Sequence, residues 1–153
     1  MNIFALSQDP AQCALWHMDK HIVKMPLESA QMLCTTLNEL GHITSYKSVH
    51  RKHPCTIWAG ISRDNFSWLC ELGLELCKEY TFRYKKLHAC AAVIQQCFSL
   101  RNNLPSGPLT PFAQAMPDEY KDPEPIIAYR NYYKGGKSHI ASWKLREQPD
   151  WYS

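Results

Sequence analysis

The sequence has no long hydrophobic run. No window holds the ~18 successive apolar residues that a membrane-spanning helix needs. The first residues, MNIFALSQDP, also lack the basic region and the longer apolar stretch of a secretory signal. These features lead us to expect a cytoplasmic protein with no membrane partner. The seven cysteines are odd in number and form no CxxC pair, so neither a disulfide framework nor a zinc ribbon is implied. Six of them lie among apolar residues and read as buried thiols. A large excess of charge of one sign is missing as well. A net charge of +3 permits contact with nucleotides or nucleic acid, but a dedicated non-specific DNA binder would be more basic. Only six glycines are present, and no Gly-rich phosphate loop, nucleophile elbow or HExxH motif occurs.

What is present reads as one domain over residues 1–153, mainly α, with a short extended N-terminal arm and a long proline-rich loop. Asn2 to Leu6 are apolar and β-prone, fitting an edge strand or an arm packed on helices. Asp9-Pro10 reads as an N-cap and first-turn proline, and helical periodicity runs on to about Leu40, with Gly41 as the stop. Pro26 kinks that helix. A short and then a long helix follow Pro54, another covers Ala89 to Leu100, and PIIAYRNYYKGG forms the last full helix. Residues 101–125 carry most of the prolines, and Phe112, Met116 and Tyr120 within them predict a packed loop.

Within the first helix, His17, His21, Lys24 and Glu28 fall at i, i+4, i+7 and i+11. At about 100° per residue they lie within roughly 40° of one line, with Gln31 beside them. Leu15, Met18, Ile22, Met25, Leu33 and Leu37 occupy the opposite face, and Asp19 points away from the row. Such a row is either a solvated face or a line of chemistry in a cleft. Two histidines at i, i+4 can share a zinc ion, but Glu28 lies roughly 10 Å along the helix from His21. Lys24 would also repel a divalent cation. Metal-free chemistry fits better, and neither a metal nor a cofactor is expected. A desolvated Lys24 could attack an electrophilic carbon, Glu28 could steady an oxocarbenium ion or move a proton, and histidine could act as general acid.

Two further constellations suit an anionic, aromatic substrate. HRKHPCTIW places His50, Arg51 and His53 before a helix start, with Trp58 available to stack a base. AYRNYY offers Arg130 for phosphate and Tyr133 for stacking. The first reads equally as a basic surface loop, and the second as aromatic core with one surface arginine.

The segments NIFALSQDPAQCALWHMDKHIVKMPLESAQML, HPCTIWA, PLTPFAQAMPDEYK and AYRNYY resemble a group of short phage-encoded proteins. More remotely, His17 and Pro26 on the first helix, with REQPDWY near the end, are similar to the pyrimidine-dimer DNA glycosylases of the endonuclease V type. That resemblance implies a small helical domain cleaving an N-glycosidic bond with a free amine and a glutamate. Those enzymes expose the amine of a threonine by removing Met, whereas here the bulky Asn2 should keep Met1 in place. Aligned on Pro26, the family's catalytic glutamate falls on Lys24, with Glu28 one turn on, so the expected amine is that of Lys24.

The expectation is a glycosylase-like hydrolase acting on a nucleobase, nucleotide or nucleic acid. His17, His21, Lys24 and Glu28 would be catalytic, and Gln31, His50, Arg51, His53, Trp58, Arg130 and Tyr133 would bind substrate. A non-catalytic binder of nucleotide or protein would use the same surface. A His-pair nuclease or metallohydrolase is the third reading.

Overall fold

A computed structural model describes residues 1–153. It contains six α-helices and no strand: α1 (Pro10–Leu15), α2 (Asp19–Glu39), α3 (Pro54–Ala59), α4 (Arg63–Tyr84), α5 (Ala91–Ser99) and α6 (Pro125–Gly136). No helix is long and apolar enough to cross a membrane. The fold is all-helical, as the periodicity implies, and all seven cysteines are buried free thiols.

α4 is the central element, packed against α1, α2 and α5. Ser62 caps it, its hydroxyl accepting from the Asn65 N–H at 3.1 Å. Phe66, Leu69, Leu72 and Leu76 then place one apolar stripe in the core. α2 supplies the facing stripe through Ile22, Leu33 and Leu37, and Gly41 ends its chain direction at φ 94°, a conformation that favours glycine. Pro26 lies inside α2, where it removes one backbone donor without ending the helix.

The expected single helix from Pro10 to Leu40 is in fact two. α1 ends at Leu15 with Trp16 as its C-cap, and Met18 is extended, with φ −62° and ψ 154°. A break frees backbone carbonyls that must find new donors. Arg83, fully buried on α4, donates to Leu15 O at 3.0 Å and to His17 O at 2.9 Å. The indole of Trp143 donates to Trp16 O at 2.9 Å. Asp19, at the start of α2, accepts from Arg83, the Ser142 hydroxyl and the Lys144 N–H, which latches the C-terminal tail to the break.

Residues 2–6 form a buried arm rather than a strand. Asn2 Oδ1 accepts from the N–H groups of Ile3 and Phe4, and its amide donates to Ala115 O at 2.8 Å. Phe4 sits at φ 39°, sparsely populated for a side-chain-bearing residue, and its carbonyl is held by the Cys13 thiol at 3.2 Å. The proline-rich loop is packed, as its aromatics predict. Asn65 donates to Thr110 Oγ1 and accepts from Thr110 N–H, while Phe112 packs 4.6 Å from the Trp68 ring.

Candidate active site at the N-terminal cleft

The arm, α2, the start of α3, the loop at residues 114–116 and the end of α6 enclose a cleft of about 490 Å³. α2 contributes His21, Lys24 and Glu28 to it, three of the four residues of the expected row. Glu28 is buried, at 7% side-chain exposure, whereas Lys24 is 68% exposed. The carboxylate lies between two cations: its Oε1 is 3.4 Å from the Met1 α-amine, and its Oε2 is 3.4 Å from Lys24 Nζ. Oε1 is cut off from bulk solvent and accepts no hydrogen bond within the protein. A buried carboxylate oxygen in that condition keeps room for a hydrogen bond from a ligand.

The exposure of Lys24 removes the desolvation that its expected role as nucleophile requires. The amine that is buried against the carboxylate is that of Met1, at 5% exposure.

His17 leaves the row, because the break at Trp16 to Met18 destroys the helical register between His17 and His21. It is fully buried, does not line the cleft, and holds Cys13 O through Nδ1 at 2.7 Å. Burial pushes its pKa down to about 4, assisted by the nearby Arg83 charge and opposed by the Cys13 hydrogen bond.

His21 does line the cleft. Its ring stacks on Phe4 at a centroid distance of 4.2 Å, and its Nδ1 lies 2.7 Å from the Tyr133 hydroxyl. Burial, followed by the influence of His17, Lys137 and Lys24, pushes its pKa down to about 2. It is therefore neutral at physiological pH and is not an imidazolium acid.

His53 lines the cleft as well. Its Nδ1 accepts from the Cys55 N–H at 3.1 Å, capping α3. Burial, the Met1 ammonium and His50 lower its pKa, against an opposing pull from Glu28.

No protein-family model matches the chain, and neither a curated protein nor a solved structure does. The geometry of the cleft alone carries the functional reading.

The other expected binding residues lie elsewhere. Gln31 is half-buried on α2 outside the cleft, and His50 is exposed, at φ 47°. Arg51 is exposed and 3.8 Å from Glu39, beside a separate groove with Thr36 and Ile57. Trp58 is buried against Trp68 and Phe112 and donates to Thr110 O, so it is core rather than a stacking platform. Arg130 donates to Leu6 O at 3.1 Å and lies over the rings of Trp16 and Trp151 at 5.1 and 5.2 Å, which makes it a clamp on the arm and tail. Tyr133 is fully buried and offers only its hydroxyl, to His21 and Met18. The groups brought to the cleft from outside the expected set include the Met1 amine, Phe4, Tyr132 and Lys137. The apolar run that follows Asn2 was the available signal, since burying that arm carries the α-amine inward with it. No cluster of three or more His, Cys, Asp or Glu side chains has the geometry to hold a metal ion.

Proposed function

We propose that this chain excises a base from a nucleotide or nucleic acid by cleaving the N-glycosidic bond, with the Met1 α-amine as nucleophile and Glu28 as its carboxylate partner. The observation that supports this reading is the buried amine–carboxylate pair, 3.4 Å apart, opening on a cleft rich in cations. An α-amine is intrinsically less basic than a lysine side chain by about 2.5 pKa units, and Glu28 beside it is placed to take its proton as the nitrogen attacks. The amine nitrogen bonds to C1′ as the C1′–N bond breaks, and the electron pair leaves on the base, which takes up a proton. The sugar ring then opens as O4′ accepts a proton through Glu28, and the nitrogen and C1′ become an imine. Water hydrolyses the imine and restores the amine. DNA is the favoured polymer, with the cytoplasm, that of the host for a phage-encoded protein, as its place of work.

Borohydride reduction in the presence of an oligonucleotide bearing an abasic aldehyde tests the amine directly. The expected product is a covalent adduct that peptide mass spectrometry places on Met1, and it is absent from a chain acetylated at the α-amine. An adduct on Lys24, or none on the unmodified chain, would overturn the assignment. Tight binding with the oligonucleotide recovered unchanged would favour the non-catalytic binder, in which the Met1–Glu28 pair only anchors the arm.

A further inference from the structure

Three cations line the cleft, the Met1 ammonium, Lys24 and Lys137, against the single carboxylate of Glu28. With His21 neutral, the cleft keeps two positive charges in excess. Glu28 engages Met1 and Lys24, whereas Lys137 forms no ion pair. Lys137 stands at the His21 end of the cleft: its ammonium is 5.1 Å from the Tyr132 ring centroid and 6.0 Å from that of Phe4, and Phe4 stacks on His21.

Hydrogen-bond accounting fixes what His21 presents there. The Tyr133 oxygen accepts from the Met18 N–H at 3.2 Å and lies 2.7 Å from His21 Nδ1. Tyr133 is fully buried and its hydroxyl has no other acceptor, so a proton on His21 Nδ1 would strand the Tyr133 hydroxyl hydrogen. The satisfied arrangement has Tyr133 donating to Nδ1. The histidine proton then sits on Nε2, which makes no hydrogen bond within the protein, on a residue that lines the cleft.

We propose that the His21 end of the cleft is a phosphate subsite, in which His21 donates its Nε2–H to a phosphate oxygen, Lys137 supplies the charge, and Tyr133 is a positioning residue that holds the histidine in the donor tautomer. A neutral imidazole stacked on Phe4 orients the anion without an imidazolium charge, while Lys137 and the cleft's excess positive charge attract it. The inference deepens the base-excising reading and takes from it only the choice of a nucleotide as ligand. It places the phosphate next to the sugar whose C1′ meets the amine.

Titration calorimetry with a 5′-deoxynucleoside monophosphate, a dinucleoside phosphate, inorganic phosphate and the parent nucleoside tests the subsite and separates a free monoester from a strand diester. At least one phosphate-bearing probe is expected to bind tenfold or more tighter than the nucleoside, both in the native chain and in the chain acetylated at Met1. Binding that survives acetylation while imine trapping is lost separates the two proposals. Lys137→Met and His21→Leu are each expected to lose about tenfold in affinity, a step of about 1.4 kcal/mol. His21→Gln, whose amide nitrogen can stand where Nε2 does, is expected to stay within about threefold of the native chain. Nitrogen-15 spectra at neutral pH should show His21 protonated on Nε2 and bare on Nδ1, and Tyr133→Phe should erase that single-tautomer pattern. Equal binding of nucleoside and nucleotides, or equal losses in folded His21→Gln and His21→Leu, would overturn the proposal.

Discussion

The Arg83 guanidinium donates to the backbone carbonyl of His17 at 2.9 Å, across 66 residues of sequence. The same side chain reaches Leu15 O, Asp19 and Glu79, so the C-terminal half of α4 holds the break that separates α1 from α2. That break turns His17 into the core and leaves His21 in the cleft.

Arg83→Met should therefore cost about 3–5 kcal/mol, because it leaves the Leu15 and His17 carbonyls without their donor and takes one of two guanidinium partners from the buried Glu79 carboxylate. Glu79 keeps Arg146, whose Nε lies 2.8 Å from Oε1, so one partner remains. The midpoint and slope of urea unfolding measure the loss. A change below about 1 kcal/mol would mean that other contacts hold the break.

Acid should destabilise the fold in a window set by its buried histidines. The folded pKa values of His17 and His21 lie at about 4 and about 2, below the ordinary histidine value of 6.5. Below about pH 6.5 the unfolded chain takes up protons that the folded chain refuses, so stability falls as pH drops. Each histidine contributes about 1.4 kcal/mol per pH unit until its folded pKa is reached. Glu79 acts in a lower window. Burial raises its pKa, but hydrogen bonds and charge from Arg146 and Arg83 outweigh that and hold it below the usual carboxylate value. Its contribution is complete above the unfolded carboxylate pKa and is lost as pH falls through the folded one. Urea midpoints between pH 7.5 and 4.5 should drop steeply, and His17→Asn, which keeps a donor for Cys13 O, should roughly halve the slope above pH 5.

The helices from α3 onward and the stop at Gly41 were legible because caps, periodicity and breakers are local signals. The break at Trp16 to Met18 was not. ALWHMDKH contains neither glycine nor proline, and the donors that make the break affordable, Arg83 and Trp143, lie far along the chain. Three residues of the row survived because α2 is regular from Asp19 onward. Trp58 and Tyr133 show the limit of composition: an aromatic on a helix reads equally as platform or core, and only Trp68, Phe112 and the buried hydroxyl network decide between them. The Met1 amine escaped because it belongs to no side chain, so a pattern of residue types does not display it.

Arg130 should behave as a structural clamp. Its guanidinium lies over Trp16 and Trp151, and its Nε holds Leu6 O. Arg130→Lys keeps the charge but loses the flat face and the fixed donor geometry, and it should cost about 1 kcal/mol. Tryptophan fluorescence should respond, since Trp16 and Trp151 pack edge to face at 5.8 Å. Nucleotide affinity in the folded variant should be unaffected, and a large affinity loss without a stability change would return Arg130 to the binding surface.

Glu28 and Lys24 should separate cleanly in kinetics, although they form an ion pair. The buried carboxylate faces the amine, whereas Lys24 reaches it from solvent, so only Glu28 is placed to handle the proton at the reacting sugar. Glu28→Gln keeps the volume and removes the charge and the base, and single-turnover base release should fall by about 10²–10⁴-fold. Binding of inorganic phosphate should persist in that variant, because the subsite is made by His21 and Lys137. Lys24→Ala should raise KM through the lost positive charge and leave kcat within about threefold. The reverse pattern, with kcat collapsing in Lys24→Ala and surviving in Glu28→Gln, would make the lysine the nucleophile and reduce the Met1–Glu28 pair to an anchor for the arm.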